Sequence, residues 1–492
     1  MIQPDCNRIM ELAKDYDVVP VSREIYADAV TPISLLRKIA AKSDRYYLLE
    51  SIEGGEKWGR YSFLGMNPVM RVTLRNKTVT IEKCAKGNAE DVKKVTTDNP
   101  LQILRNILKD YRAPKLPGMP AFTGGFVGYF AYSMIEYAEP TLNIKRGDFN
   151  DYDVMMFDKV IAYDHLKQKI IVIVNMKTDR VMENYGRAVA DIENIVALIR
   201  DTAPLPEEKR VKENVEFTCN VSKEEYCDIV EKTKEYIKDG DIFQAVISRQ
   251  FTSPYKNSLL NAYRVLRTTN PSPYMVYLHS EEEELMSTSP ETLVRLENGR
   301  LTTFPVAGSR PRGKTEEEDI ALEKDLLADE KELSEHNMLV DLGRNDLGRI
   351  SQFNSVEVTK YMMIHRYSRI MHVCSQVEGD IREDCDAGSA IEAVLPAGTL
   401  SGAPKIRACE IIEEMESEPR GIYGGALGYM DFTGNLDTCI AIRMAVRKND
   451  KVYVQAGGGI VADSVPEKEY EESANKAAAV MNALINAGEV DA

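Results

Sequence analysis

Short strand-like runs joined by tight turns constrain the fold of this chain most strongly. In residues 292–310 and 424–460, β-branched and aromatic residues recur in short runs, and the intervening turns contain Asn298-Gly299 and Gly434-Asn435. Turns of this kind join antiparallel neighbours, whereas parallel strands need a long crossover connection. The chain has no regular alternation of strands with helices and no internal repeat. The sequence therefore predicts an α+β protein with antiparallel sheets and helices packed outside them.

A charged, proline-containing segment divides the chain into two predicted units. Residues 202–220 contain two prolines and many charged side chains, which is typical of a linker. The unit before it, residues 1–201, includes strand-like residues at 63–74 and ends in a helix over about 180–200. The unit after it is residues 221–492, so we expect two domains and a connecting segment.

Composition excludes several classes of function. The 492 residues carry a formal net charge of −16, which argues against nucleic acid and anionic membranes as partners. The N-terminal residues are polar and acidic, and no apolar run is long enough to span a bilayer. The eight cysteines form no C-x-x-C motif, so we expect reduced thiols in a cytoplasmic protein.

Two pairs of glutamates, far apart in the chain, indicate chemistry. Glu332 with Glu335 and Glu469 with Glu472 each have i, i+3 spacing, which places both carboxylates of a pair on one face of a helix. Two such helices can hold one Mg²⁺ and leave room for substrate oxygens. The structural alternative is a solvent-exposed acid paired with a lysine at i±4, such as Lys476 for Glu472. The many polar residues that follow Glu335 favour the metal site.

A glycine run precedes the second pair, in QAGGGIVADS (455–464). Such a run lets main-chain N–H groups approach an anion closely. It formally fits the dinucleotide fingerprint, but that fingerprint needs a helix that opens at the glycines, and here the helix starts only at Pro466. The alternative is a tight strand exit. With the acids, the run indicates a Mg²⁺-assisted enzyme that acts on a small carboxylate or phosphate.

Basic side chains that could bind the anion each have a structural alternative. Arg310, Arg312 and Lys314 follow a Gly-Ser turn and could equally form a solvated loop. Lys405 follows a Gly/Ser/Thr-rich turn that opens a helix, a place where N–H groups can bind an anion or where the loop is merely capped. Arg443 stands among apolar strand residues and needs an anionic partner, either from the protein or from a ligand.

Several segments together resemble a known family, component I of anthranilate synthase, over nearly the whole chain. They are LLES (48–51), PSPYM (271–275), SPETL (289–293), PVAGSRPRG (305–313), KELSEHNMLVDLGRNDLGR (331–349), GTLSGAPK (398–405), IYGGALGY (422–429), LDTCIAIR (436–443) and the glycine run with its helix. The resemblance implies the fold of the Mg²⁺-dependent chorismate-utilising enzymes, an antiparallel α/β/β/α sandwich-like assembly. An N-terminal regulatory unit would be interleaved with the catalytic one.

The resemblance also implies roles for individual residues. Glu335 and Glu472 match the metal ligands, and Glu332 and Glu469 match the supporting acids. Glu291 matches the acid that protonates the departing 4-hydroxyl, and His372 the histidine linked to pyruvate elimination, although a lone histidine among apolar neighbours is more often a core residue. Gln244 stands where water-adding relatives carry a lysine base. Positions that match the chorismate-binding residues are Gly308, Ser309, Tyr423, Arg443, Gly457, Gly458, Gly459 and Lys476. Ser309 departs from the family's usual threonine but keeps the hydroxyl.

A second site is implied for L-tryptophan as a feedback inhibitor. Cys439 lies in a segment similar to one that transmits this inhibition in relatives. From sequence physics alone these residues would be ordinary strand packing. The residues that match the inhibitory site are Ser51, Pro273, Tyr274, Met275, Leu427, Gly428 and Tyr429.

The resemblance implies a partner and leaves two alternatives. The chain contains no glutaminase nucleophile motif, so a separate glutamine amidotransferase subunit would supply ammonia in a hetero-oligomer. Component I of 4-amino-4-deoxychorismate synthase is one alternative, but that branch often has a lysine nucleophile where this chain has Ala307. The other is a non-catalytic tryptophan-binding subunit, and the intact Glu335, Glu472, Glu291 and Lys476 argue against it.

Overall fold

In the computed structural model of the chain, residues 2–51, 59–85, 88–205, 214–366 and 370–490 are described. The helices are α1 (Cys6–Leu12), α2 (Pro32–Ala40), α3 (Leu101–Leu108), α4 (Ile135–Ala138), α5 (Val181–Arg200), α6 (Lys223–Lys238), α7 (Leu260–Thr269), α8 (Glu316–Ala328), α9 (Glu330–Gly348), α10 (Ala387–Val394), α11 (Lys405–Met415) and α12 (Pro466–Asn486).

The strands make up most of the remaining structure. They are β1 (Ile2–Gln3), β2 (Val18–Tyr26), β3 (Tyr46–Glu50), β4 (Tyr61–Met66), β5 (Met70–Arg75), β6 (Thr78–Ala85), β7 (Asn88–Thr96), β8 (Gly125–Phe130), β9 (Tyr152–Phe157), β10 (Lys159–Asp164), β11 (Lys169–Lys177), β12 (Thr218–Cys219), β13 (Gln244–Pro254), β14 (Tyr274–His279), β15 (Glu283–Ser289), β16 (Thr292–Glu297), β17 (Arg300–Thr303), β18 (Val306–Pro311), β19 (Glu357–Arg366), β20 (Ile370–Asp380), β21 (Gly402–Ala403), β22 (Ala426–Asp431), β23 (Leu436–Ile440), β24 (Met444–Lys448) and β25 (Lys451–Ile460).

These strands form two large sheets. The first has the order β1-β2-β11-β10-β4-β3-β14-β15-β24-β25-β13-β12, with β21 also paired to β13. The second has the order β18-β20-β17-β16-β23-β22-β8-β9-β5-β6-β7, with β19 also paired to β20. Neighbours run antiparallel, as in the β13–β25, β18–β20 and β22–β23 pairs. The predicted antiparallel architecture is confirmed.

Apolar side chains arrange the sheets and helices in four layers. One cluster lies between the sheets and contains Tyr47 and Phe157, whose ring centroids are 4.7 Å apart. A second cluster packs α12 and other helices against the first sheet, through Leu484 for example. A third packs α9 against the second sheet, through Val340 for example. The result is the expected α/β/β/α arrangement, because each sheet buries one face on the other sheet and its second face on helices.

Both halves of the chain contribute to both sheets. In the first sheet, β3 pairs with β14 and places Glu50 opposite Met275. In the second, β8 pairs with β22 and places Gly128 opposite Gly428. Strands from residues 1–201 and from 221–492 therefore share each sheet, and the division into a regulatory and a catalytic unit stays a prediction. Residues 206–213 of the proposed linker lie outside the described part of the chain.

Local sequence signals account for several element boundaries. Asn298 and Gly299 have φ angles of 54° and 83°, as a type I′ turn between β16 and β17 requires. The Ser222–Glu225 capping box opens α6, with Ser222 N donating to Glu225 Oε2 at 2.8 Å. The run at 63–74 is two strands, because the chain turns at Asn67 with a φ of 53° between β4 and β5.

Across the described ranges, no helix is both long enough and apolar enough to cross a bilayer. All eight cysteines are free.

Candidate active site

The glycine run forms the end of β25, where it pairs closely with β13. Gly457 lies opposite Ser248, and a Cβ at Gly457 would come within 2.3 Å of the Ile247 carbonyl oxygen. A Cβ at Gly459 would come within 2.4 Å of Gln244 Nε2. Real Cβ atoms do not approach other atoms this closely, so the strand pairing itself requires glycine here. The strand continues to Ile460 and the helix begins at Pro466, which is inconsistent with a dinucleotide fingerprint.

In the structure, acids from both glutamate pairs lie close to a glycine. A Cβ at Gly458 would lie 3.0 Å from Glu469 Oε2 and 3.6 Å from Glu472 Oε1, so both acids of α12 lie over the glycine run. A Cβ at Gly308, which has a φ of 72°, would lie 3.1 Å from Glu332 Oε2 on α9. Main chain that carries no side chain therefore lies beside acids of both helices.

The acids also influence one another electrostatically. Burial raises the pKa of Glu335, and the negative charges of Glu332 and Glu472 raise it further. Burial likewise raises the pKa of Glu332 and of Glu469, and Glu472 contributes to both shifts. A raised carboxyl pKa means that the charged form lacks sufficient positive charge nearby. A hard cation with oxygen ligands would supply that charge, so the donor chemistry fits the predicted metal.

The acids are not yet arranged as a complete coordination sphere. Among the described residues, no group of three His, Cys, Asp or Glu side chains has the geometry to hold a metal ion. Glu472 Oε1 instead forms an ion pair with Lys476 Nζ at 2.7 Å, and that nitrogen also donates to the Gly457 carbonyl at 3.1 Å. The lysine alternative for Glu472 is therefore also realised in this structure.

A cavity of about 330 Å³ opens beside this ion pair, and Arg443, Glu472 and Lys476 are among its lining residues. Arg443 is half-buried with a φ of 49°, and burial lowers the pKa of its guanidinium. Within the described residues, Arg443 has no carboxylate in an ion pair with it. An anionic ligand would provide the missing partner.

Tyr423 lies beside Arg443 and the glycine run. Burial raises the pKa of its hydroxyl to about 12, and the charges of Arg420 and Arg443 and the Gly457 N–H oppose that shift. The phenol therefore stays protonated at neutral pH and can act as a hydrogen-bond donor. Arg443, Tyr423 and Lys476 thus combine two cations and a hydroxyl around the bare main chain of β25.

Glu291 is the acid with the most strongly shifted pKa at the site. Burial raises the pKa of its carboxyl to about 7, and the Thr399 hydroxyl and Lys476 act in the opposite direction. Thr399 Oγ1 donates to Glu291 Oε1 at 2.9 Å. The sequence predicted no role for Thr399, because the turn that contains it suggested only main-chain N–H donors. The hydroxyl group in that turn was the feature that could have indicated this contact.

His372 and Ser309 face each other across the β18–β20 pair. An irregularity in register between Ala307 and Ser309 displaces the strand here. His372 Nδ1 lies 3.1 Å from the Gly308 carbonyl oxygen, so Nδ1 carries the proton. Burial, and then the charge of Arg443, lower the pKa of His372, and its imidazole is neutral at neutral pH.

Gln244 begins β13 with its side chain buried against Gly459. Its Oε1 atom has no hydrogen-bond partner among the described residues. A buried amide oxygen without a partner is costly, so a ligand with a donor group would stabilise it.

The remaining basic candidates have protein partners. Arg310 Nη2 contacts Asp329 Oδ2 at 2.8 Å, and Arg312 Nε contacts Asp319 Oδ1 at 2.9 Å. Lys405 forms a 2.8 Å ion pair with Asp346, and both side chains are nearly buried. Arg310, Arg312 and Lys405 are therefore not free to bind an anion, and Arg310 lies in strand β18 rather than in the solvated loop given as the alternative.

A larger cavity of about 1050 Å³ lies where β3, β14 and β22 meet, away from the glutamate pairs. The Ser51 hydroxyl is buried and has no hydrogen-bond partner among the described residues. Asp437 Oδ1 accepts a hydrogen bond from the Tyr274 hydroxyl at 2.7 Å, and Asp437 also pairs with Arg295 at 3.0 Å. All seven residues predicted for the inhibitory site line this cavity: Ser51, Pro273, Tyr274, Met275, Leu427, Gly428 and Tyr429.

The sequence model of the family described as chorismate binding enzyme matches residues 45–482. The chain belongs to this family of chorismate binding enzymes.

Individual relatives show which branch of the family the chain resembles. The chain is 48% identical to anthranilate synthase component 1 of Acetivibrio thermocellus over 100% of both chains. It is 44% identical to the protein of the same name from Pseudomonas aeruginosa, over 96% of this chain and 97% of the relative. The predicted family, component I of anthranilate synthase, is therefore confirmed.

Solved structures agree with this assignment. The crystal structure of anthranilate synthase component I from Streptococcus pneumoniae superposes with a TM-score of 0.76 and 35% identity, covering 93% of this chain and 99% of that one. The menaquinone-specific isochorismate synthase of Escherichia coli shares the fold, with a TM-score of 0.69, 18% identity and coverage of 97% and 98%.

Proposed function

We propose that this chain, as the large subunit of anthranilate synthase, converts chorismate and ammonia to anthranilate and pyruvate in tryptophan biosynthesis. One observation carries the proposal: the acids of both glutamate pairs, Glu291 with its pKa of about 7, and Arg443, which has no carboxylate partner among the described residues, lie around the Glu472–Lys476 ion pair. Full-length similarity to relatives named anthranilate synthase component 1 supports the choice of reaction.

The anionic substrate would bind to the cationic side of the site. Arg443 and Lys476 offer positive charge, and the Tyr423 hydroxyl and the glycine main chain offer N–H and O–H donors. Arg443 directly precedes β24, Tyr423 precedes β22 and the glycines belong to β25, so the sheets hold these groups in place before the substrate arrives. Gly308 and Ser309 approach from the other sheet.

Glu335 and Glu472 would hold a Mg²⁺ ion, with Glu332 and Glu469 in support. Bound there, the ion would neutralise the ring carboxylate and withdraw electrons from the ring. Glu472 must leave Lys476 for this to occur, which makes the lysine available to the substrate.

Glu291 would act as the general acid. Its carboxyl keeps a proton near neutral pH because burial raises its pKa to about 7. That proton goes to the 4-hydroxyl, which leaves as water while ammonia attacks C2. Ammonia carries its own lone pair and needs no base, consistent with Gln244 in place of a lysine.

The second step restores the aromatic ring. The C2 proton is removed, the C3–O bond breaks, and the enolpyruvate that leaves takes up a proton at its CH2 carbon to become pyruvate. His372 is proposed for this step: its Nδ1–H donates to the Gly308 carbonyl, so Nε2 is the basic nitrogen of a neutral ring.

In this proposal, the use of glutamine as the ammonia source requires a partner, and the activity is regulated. A separate glutamine amidotransferase subunit would generate the ammonia. L-Tryptophan would bind in the large cavity, where the buried Ser51 hydroxyl can bond to the polar end of the ligand. Ala307 disfavours the aminodeoxychorismate branch, because alanine cannot act as a nucleophile.

An assay of the isolated chain tests the proposed reaction. With chorismate, Mg²⁺ and an ammonium salt at alkaline pH, we expect it to form fluorescent anthranilate, and with glutamine instead of ammonium we expect none. Isochorismate, salicylate or an aminodeoxychorismate as main product would refute the proposal, and so would glutamine use by the isolated chain.

A further inference from the structure

A buried ion pair lies directly behind the candidate active site. Arg420 and Glu416 are on the segment that follows α11, and their side chains are only 1% and 6% exposed. Arg420 Nε donates to Glu416 Oε2 at 2.9 Å, and Nη2 donates to Oε1 at 2.7 Å. The pair is therefore bidentate, a geometry that fixes the plane of the guanidinium.

The same guanidinium also contacts two segments of the active site. Its Nη1 donates to the Leu400 carbonyl at 2.5 Å, and its Nη2 donates to the Val246 carbonyl at 2.6 Å. Leu400 follows Thr399, whose hydroxyl donates to Glu291. Val246 lies two residues after Gln244 on β13. The Arg420 guanidinium thus links the turn beside Glu291 to strand β13, which pairs with the glycine run of β25.

Glu416 strengthens the second of these connections. Its Oε1 accepts from Ser248 N at 2.7 Å and from Ser248 Oγ at 2.8 Å. Gln455 Nε2 donates to the same hydroxyl at 2.9 Å. The network therefore spans β13 and β25, which together form the floor of the site.

We propose that Arg420 is a positioning residue that holds the 398–400 turn and, through the Thr399 hydroxyl, orients the Glu291 carboxyl. The proposal rests on the acid role given to Glu291 above. A buried ion pair is often no more stabilising than well-packed apolar side chains, so stability alone is a poor reason for it. The two main-chain contacts supply the functional reason, because no apolar side chain could hold both carbonyls.

The groups that face Glu291 determine how its pKa would change if the turn moved. They are the Thr399 hydroxyl, the Lys476 ammonium of α12 and the Cys374 thiol of β20. The Thr399 hydrogen bond favours the charged carboxylate, as Lys476 does. If the turn moves, that hydrogen bond is lost and the pKa of Glu291 rises above about 7.

The test is the pH dependence of kcat/KM for chorismate, measured with the concentration of free ammonia held constant. That quantity reports ionisations of the free enzyme. We expect Arg420→Lys to lower kcat by about tenfold, the effect of a lost hydrogen bond to a charged group, with little change in KM. The alkaline limb of the profile should move to higher pH. Thr399→Val should move it in the same direction, and the double variant should move it no further.

A matched control separates this effect from general damage. Arg71 also forms a buried bidentate pair, with Asp153 between β5 and β9, and its other ion-pair partner among the described residues is Glu282, outside the candidate active site. Arg71→Lys should lower the melting temperature and leave the alkaline limb unchanged. Glu416→Gln, which keeps the side-chain shape, serves as a second variant if Arg420→Lys does not fold.

Two outcomes overturn the proposal. One is an unmoved alkaline limb in Thr399→Val, or in a folded Arg420→Lys or Glu416→Gln. The other is a double variant whose shift equals the sum of the single shifts. Either result leaves the proposed function standing if Glu291→Gln is inactive, whereas an active Glu291→Gln refutes the acid role itself.

Discussion

At the residue scale, the proposed chemistry depends on single carboxylates. Glu291, Glu332, Glu335 and Glu469 all have a raised pKa, and in each the first cause is burial. Burying charge in this way costs stability, and proteins retain such costs mainly at functional sites. Buried acids elsewhere, such as Asp158 and Asp431, also have a raised pKa, so it is the grouping of these four around Glu472 and Lys476 that supports the site.

Replacing the proposed metal ligands tests their role. Glu335→Ala or Glu472→Ala should abolish anthranilate formation at saturating Mg²⁺, because the metal loses a ligand while the fold remains. Glu467→Ala, an exposed acid in the first turn of α12, is the control and should keep full activity. The fluorescence assay measures all three variants, and near-normal turnover in either ligand variant would contradict the assignment.

The acid Glu291 gives a prediction that depends on pH. Its pKa of about 7 in the folded chain exceeds the ordinary glutamate value of 4.5, so the folded state binds the proton more tightly. Stability is consequently lost as pH rises from about 4.5 to about 7. Glu291→Gln avoids that loss, so its melting temperature should gain on the parent's between pH 5 and pH 8 while turnover is lost. Calorimetry at both pH values measures this gain, and a constant difference would argue against a buried neutral acid.

At the element scale, the end of β25 positions the acid pair of α12. Its glycines let α12 approach the strand until Glu469 and Glu472 lie over Gly458. The helix and strand also pack through Leu484 and Val454 in one apolar cluster. Strand β25, the turn after it and helix α12 thus form one unit, in which the carboxylates of Glu469 and Glu472 lie beside the main chain of Gly458.

A methyl group at Gly458 tests this arrangement. The Cβ of Gly458→Ala would lie 3.0 Å from Glu469 Oε2, so the carboxylate must move and the apparent Mg²⁺ requirement should rise severalfold. Gly186→Ala is the control: the site on α5 is open, and alanine should stabilise that helix by about 0.5–1 kcal/mol without affecting activity. Mg²⁺ titration of the initial rate distinguishes the two, and an unchanged requirement in Gly458→Ala would refute the placement of the acids.

At the scale of the whole molecule, the two cavities lie within one pair of shared sheets. The larger cavity lies beside the β3–β14 and β8–β22 pairs, where the two halves of the chain join. A ligand that prefers one relative arrangement of the halves would change affinity at the other cavity. Linkage makes that coupling reciprocal.

Filling the larger cavity tests this coupling. Ser51→Phe should weaken inhibition by L-tryptophan strongly and largely retain chorismate turnover, because the ring would occupy the ligand's space. Ser51→Ala removes only the hydroxyl and should weaken inhibition less, by about 1 kcal/mol for a lost hydrogen bond. Calorimetric titration of tryptophan with and without chorismate measures the coupling. Unchanged inhibition in Ser51→Phe, or joint loss of catalysis and inhibition in a folded variant, would contradict a separate site.

The sequence by itself determined the local features of this protein. Turn residues such as Asn298-Gly299 and the Ser222–Glu225 box act within a few residues, so antiparallel pairing and helix starts could be predicted from them. The quoted segments were also sufficient to predict the family. The seven residues predicted from them for the inhibitory site all line the larger cavity.

Only the tertiary structure decided how distant groups interact. Which basic residue stays unpaired depends on neighbours far away in the chain: Lys405 meets Asp346, whereas Arg443 meets no acid among the described residues. The role of Thr399 depends on a contact with Glu291, 108 positions away. The shared sheets likewise arise from long-range pairing. Burial and electrostatics are properties of the packed chain, so their consequences for pKa and binding appear only once the strands and helices have come together.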